Sequence, residues 1–158
     1  MASTRPAYKS LFGRRLGLGP YNELMSANSG SNLRLTSRVA TATITVSAEG
    51  ATVANQRNIS ITLKDANGVA INYAETFEIV LYSSSAMTDF VGTGGSTGIA
   101  AGASGKILAV IAKKLFRAIT TTAGVCEVIY TDTGTDAGYL AVRLPNGNVI
   151  AGGDITNA

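Results

Sequence analysis

Between Arg57 and Lys64 the chain alternates without a break, with Ile59, Ile61 and Leu63 falling on one side and Asn58, Ser60, Thr62 and Lys64 on the other. A period of two is the mark of a strand with one face buried. The same period runs through Val39 to Val46, where Ala40, Ala42, Ile44 and Val46 oppose a row of threonines. It returns from Glu75 to Tyr82, where Phe77, Ile79 and Leu81 share one face. Val80 and Tyr82 on the opposite face predict that this side is partly covered as well. From Leu115 to Ile155 come four short β-branched or aromatic runs, separated by Thr122-Ala123-Gly124, a polar turn after Thr131, and Pro145-Asn146-Gly147-Asn148. Strand and turn in that order predict an antiparallel meander. Asp65-Ala66-Asn67-Gly68 supplies a turn in which Asn and Gly can take positive φ.

Two stretches depart from this pattern. In Ile107 to Ile119, Ile107, Ile111, Leu115 and Ile119 recur every fourth residue while Lys113, Lys114 and Arg117 face away, as on an amphipathic helix. The same residues also read as two short strands with a turn at Ala112-Lys113-Lys114, and the Ile and Val content of the first half favours the strands. Ser83 to Lys106 reads as one long loop, rich in Gly and Ser, with Phe90 its one aromatic residue. A loop of that length in a compact domain is usually functional, so this one is expected to reach a neighbouring molecule through Phe90. Seven or eight short strands with tight turns imply an all-β fold, an antiparallel β-sandwich resembling an immunoglobulin domain but without its Cys and Trp marks.

Residues 1–38 have a different texture. Tyr8, Leu11, Phe12, Leu16, Leu18, Tyr21, Leu24 and Met25 are scattered among glycines and a proline, with neither period sustained. A solvated tail does not carry so many large apolar side chains. Either they dock on another chain or they pack on the arm's own sandwich. The reading adopted is an extended N-terminal docking arm and linker over 1–38, with Ser26 to Asn32 as its flexible part, followed by a sandwich over 39–158. Tyr8, Leu11, Phe12, Leu16, Leu18 and Tyr21 are then the side chains that fill pockets, and Arg14 and Arg15 pair with acidic groups.

Charge sharpens this division. The arm holds six Lys or Arg against Glu23 alone, a net +5, and the remainder seven bases against nine acids, a net −2, which together give the +3 of the chain. The basic bias therefore belongs to the arm, too sparsely for a specific nucleic-acid tract. Only 15% of residues are charged, so strand edges rest on hydroxyls and amides, as suits a protein locked into an assembly. No run approaches the roughly 18 apolar residues of a membrane helix, and the Met-Ala-Ser-Thr-Arg-Pro start lacks a signal-peptide core. Synthesis in the cytoplasm and no membrane partner are expected.

The chain has no histidine and one cysteine, Cys126. That composition excludes Ser-His-Asp and Cys-His nucleophile systems and the usual zinc sites. Cys126, in a predicted strand, reads as a small buried hydrophobe. Gly102-Ala-Ser-Gly-Lys106 follows the outline of a phosphate loop but lacks its first Gly, at Ala100, and its final Ser or Thr, at Ile107. Asp132 and Asp136 could hold a loosely bound Ca²⁺, yet turn formation explains the same residues. Asn58-Ile59-Ser60 fits a glycan acceptor pattern inside a strand and reads as accidental. No catalytic residue, cofactor or metal is expected.

Arg57-Asn-Ile-Ser-Ile-Thr-Leu-Lys-Asp-Ala-Asn-Gly68, Ile119-Thr-Thr-Thr-Ala-Gly124, Tyr139-Leu-Ala-Val-Arg-Leu-Pro-Asn-Gly147 and Ile155-Thr together resemble tailed-bacteriophage virion proteins that carry an immunoglobulin-like sandwich. Leu11-Phe-Gly-Arg-Arg-Leu-Gly-Leu18 is similar to anchoring stretches of phage structural proteins. The resemblance implies a non-enzymatic capsid decoration, cement or head-fibre protein, anchored by its arm to the major capsid or a connector or neck protein and working as a homo-oligomer, for instance a trimer. Its alternative is a neck, tail or fibre-associated module that binds a host surface glycan or protein through the 83–106 loop.

Overall fold

The computed structural model describes residues 39–157, and these form nine strands in two antiparallel sheets packed face to face. The strands are β1 (Thr41–Val46), β2 (Gln56–Lys64), β3 (Thr76–Tyr82), β4 (Gly98–Ala101), β5 (Lys106–Ile111), β6 (Leu115–Ile119), β7 (Val125–Thr131), β8 (Tyr139–Arg143) and β9 (Val149–Asp154). One sheet has the order β1-β2-β7-β4 and the other β5-β6-β3-β8-β9. The all-β sandwich expected from the alternation is present, with nine strands in place of seven or eight. The arm residues Tyr8, Leu11, Phe12, Arg14, Arg15, Leu16, Leu18 and Tyr21 lie outside the described residues.

The core is the sum of the inward faces. Ile59, Ile61 and Leu63 from β2 and Cys126, Val128 and Tyr130 from β7 meet Phe77, Ile79 and Leu81 from β3 and Leu140 and Val142 from β8. All are buried. Cys126 is thus the small core residue its strand position predicts. Burial holds its thiol protonated, pushing its pKa to about 11 with Glu127 adding to the effect. The turn at Asp65 also forms: Asp65 Oδ1 accepts from Asn67 N and Val69 N at 2.9 and 3.0 Å, and Gly68 takes the positive φ while Asn67 does not.

Two expectations are corrected and one choice is decided. The run Leu115 to Ile155 is no meander, because β6, β8 and β9 lie in the five-stranded sheet and β7 in the other. The reason lies in the connections. Gly124, at φ 75°, is packed so closely that a Cβ there would come 2.7 Å from Ile71 O, and its carbonyl accepts from Leu63 N of β2 at 2.9 Å. That docking delivers β7 to β2 and leaves β6 behind beside β3. The stretch Ile107 to Ile119 is two strands, turning at Ala112 to Lys114 with Lys113 at φ 60°, so the favoured strand reading holds and the fourfold repeat of apolar residues is no helix.

The second correction concerns Ser83 to Lys106, which is not one loop. It contains β4, its Val91 is buried, and Val91 N donates to Leu81 O at 3.0 Å. Gly94, Gly95 and Gly98 serve close packing: a Cβ on Gly95 would lie 2.9 Å from the Tyr130 ring, and one on Gly94 would run into Lys113 O. Lys113 then closes over the segment, its Nζ donating to Gly95 O at 3.0 Å and Ser96 O at 2.7 Å. What remains outside is the short excursion Ser83 to Phe90.

Candidate functional site

The outer face of the five-stranded sheet is assembled by register into cross-strand rows. The pairings Leu108↔Arg117, Glu78↔Arg117, Glu78↔Arg143 and Arg143↔Val149 place Leu108, Arg117, Glu78, Arg143 and Val149 abreast. One step along the strands, Ile111, Leu115, Val80, Ala141 and Ala151 form an apolar row. Val80 at its centre is only 5% exposed, which is the partial cover expected of that face. A further step brings Tyr82 opposite Tyr139 on one side and, through an isolated bridge, opposite Phe90 on the other.

Phe90 is 46% exposed and stacks on Tyr82 with ring centroids 6.3 Å apart and planes 7° from parallel. The aromatic residue singled out in the sequence therefore stands on the rim of this face. Leu108 is 68% exposed, Ile111 and Ile119 are exposed beside it on β5 and β6, and Val149 is exposed at the opposite edge of the sheet. Large apolar side chains on neighbouring strands, left to water together, form a patch of the kind that marks interaction surfaces.

Glu78 is the hinge of the charged row. It lies 4.0 Å from Arg117 and 3.8 Å from Arg143, both mostly exposed, so neither contact is tight and both guanidinium groups keep donors to spare. Beside them is an open cleft of about 300 Å³ whose walls include Thr76, Leu144 and Pro145. Two cations and one anion leave this row net positive. An acidic side chain of a partner would find two forked donors there, with apolar surface on both flanks.

The end of the sandwich near Asp132 has a different role. Asp132 is buried, and its carboxylate accepts from three backbone amides: Ser96 N at 2.9 Å, Gly134 N at 3.1 Å and Asp136 N at 3.3 Å. Asp136 accepts from the Thr93 hydroxyl. Asn157, also buried, donates to Asn55 O and Asp132 O and accepts from Arg57 Nε at 3.0 Å. The Asp132 carboxylate thus builds a turn, and Asn157, bonded to the backbone carbonyls of Asn55 and Asp132, ties the C-terminal residues down. Nearby, burial together with Asp132 and Asp136 pushes the Tyr130 hydroxyl up to about 12. Asp154, by contrast, is held below its ordinary range by hydrogen bonds from the Thr156 side chain and backbone.

Sequence reasoning reached Phe90 but missed Arg117, Glu78 and Arg143. Taken singly, each is a polar residue alternating with core positions, indistinguishable from a solvated one. Only the order β6-β3-β8 sets them side by side. No protein-family model, curated protein or solved structure gives a match to this chain.

Proposed function

We propose that the protein is a non-enzymatic structural component of a bacteriophage virion, a capsid decoration, cement or head-fibre protein, held on coat or connector subunits by its N-terminal arm and by the outer face of its five-stranded sheet. The observation that carries the reading is that face: exposed Leu108, Ile111, Ile119 and Val149 around the Arg117–Glu78–Arg143 row. Such a surface suits permanent cover by a partner that offers acidic groups and apolar contacts. The arm contributes further anchors in Phe12 and Leu16, and two weak attachments on one chain reinforce each other.

A second reading, recognition of a host surface glycan or protein, draws on the stacked and exposed Phe90–Tyr82 pair. An aromatic face of that kind can stack on a sugar ring. Co-sedimentation of the full-length protein with empty capsids and with host cells separates the two. Pelleting with capsids, weakened by Phe12→Ala with Leu16→Ala, is the expected result; truncated anchors typically cost about 2 kcal/mol or more each. Binding to cells alone overturns the capsid reading in favour of the second.

A further inference from the structure

Four strands end the two sheets, and three of them are blunted against pairing. β4 is four residues long. β5 carries Lys106 and a register shift between Ala109 and Ile111. β9 carries Asp154 and a register shift opposite Leu140 and Ala141. β1, Thr41–Val46, has six residues in unbroken register with β2, without a charge, proline or bulge. Short length, charge and bulges are the devices by which sheets avoid edge-to-edge contact, and β1 has none of them.

We infer that β1 pairs antiparallel with β1 of a second copy of this chain about a two-fold axis through Ile44, joining two four-stranded sheets into one. The direction of the hydrogen bonds sets the register. Ser47 N donates to Asn58 O at 2.9 Å, so counting back by twos along the ladder, Thr45, Thr43 and Thr41 also turn their amides and carbonyls toward β2. Ala42, Ile44 and Val46 turn theirs outward, and no described residue outside β1 is bonded to them.

With Ile44 opposite Ile44 of the second copy, Ala42 falls opposite Val46 and Val46 opposite Ala42. All three are pairs whose amides and carbonyls face each other, about six hydrogen bonds in all. A two-fold axis normal to the sheet also preserves its faces. Ala42, Ile44 and Val46, which pack against the core, stay inward, while Thr43 meets Thr45 of the second copy on the outside. Near such an axis a charge on one copy stands close to the like charge of the other, so a strand free of charge is what self-pairing requires. This pairing leaves the outer face of the five-stranded sheet unused and does not depend on what that face meets.

The test uses the opposition of Thr43 and Thr45, both exposed and pointing away from the core. Analytical ultracentrifugation of the full-length protein should give a monomer–dimer equilibrium ending at twice 16.2 kDa. Thr43→Lys with Thr45→Lys sets lysine against lysine on both sides of the axis and should weaken the dimer about tenfold or more. Thr43→Lys with Thr45→Glu sets lysine against glutamate on both sides and should restore it. A monomer at every concentration, a trimer, or a dimer indifferent to the double lysine overturns the inference. Hydrogen exchange on the unaltered chain gives a check that needs no variant to fold: the amides of Ala42, Ile44 and Val46 should become protected as concentration rises. Protection that does not change with concentration also overturns it.

Discussion

The two sheets share a core but present opposite outer faces. On the four-stranded sheet, Thr41, Thr43 and Thr45 of β1 run beside Lys64, Thr62 and Ser60 of β2, and then Val125, Glu127, Ile129 and Thr131 of β7, a face rich in hydroxyls on which Val125 and Ile129 are half-buried. On the five-stranded sheet the equivalent positions hold Leu108, Ile111, Ile119 and Val149 around two arginines and a glutamate. Both faces obey the same alternation of inward and outward side chains. A period of two settles which residues leave the core, and it leaves open whether water or another molecule receives them. Hydroxyls hydrogen-bond to water without loss, whereas exposed leucine and isoleucine gain by being covered. The difference in side-chain chemistry separates a face suited to water from one suited to cover by a partner.

The sharpest way to break this comparison is to reverse one position of β2. Ile61 is fully buried and Thr62, its neighbour, points outward. Ile61→Asp buries an isolated carboxylate at a cost of several kcal/mol, of the order of a small domain's whole stability, and should leave the protein unfolded by circular dichroism. Thr62→Asp, one residue away, should shift stability by less than about 1 kcal/mol. Equal effects would mean that inward and outward have been exchanged.

A smaller effect is expected from Asp132→Ala. The substitution strands the amides of Ser96, Gly134 and Asp136, which the carboxylate now satisfies. Urea titration should register a loss of about 3 kcal/mol. A change below about 1 kcal/mol would show that water replaces the carboxylate and that the turn does not depend on it.

Smaller still is the response to alkali. The folded state raises the pKa of Cys126 from 9.0 to about 11 and of Tyr130 from 10.0 to about 12. Both groups hold their protons more tightly folded than unfolded, so their contribution is complete below pH 9 and is lost as pH climbs toward 11 and 12. Thermal melts should therefore fall progressively above pH 9, and less steeply in Cys126→Ala. A melting temperature flat from pH 8 to 11 would contradict the burial of both groups.

Much of the sandwich was legible because burial imprints itself on single strands. Ile59, Ile61 and Leu63, or Phe77, Ile79 and Leu81, declare their inward face without reference to any neighbour. The order of strands is not written in that way. Nothing in the runs of β6 and β7 says that they part into different sheets, since the decision rests on how Gly124 packs against Leu63 and Ile71. Gly94, Gly95 and Gly98 misled for a related reason. Glycine in sequence signals freedom, and here it makes room for Lys113 and the Tyr130 ring. The candidate site was legible only at Phe90, because Arg117, Glu78 and Arg143 gain their meaning from lateral alignment across three strands.

If, as proposed, the outer face of the five-stranded sheet meets a partner and that of the four-stranded sheet meets water, surface substitutions on the two must differ in effect. Co-sedimentation of full-length variants with empty capsids tests it most directly. Leu108→Asp with Arg117→Glu alters the first face at exposed positions, and Ser60→Asp with Thr62→Asp alters the second to a similar degree of charge. Both should keep the melting temperature near that of the unaltered protein. The first pair should lose capsid binding by about tenfold or more while the second binds as before; capsid binding that survives the first pair and fails with the second would mean that the docking role had been assigned to the wrong face.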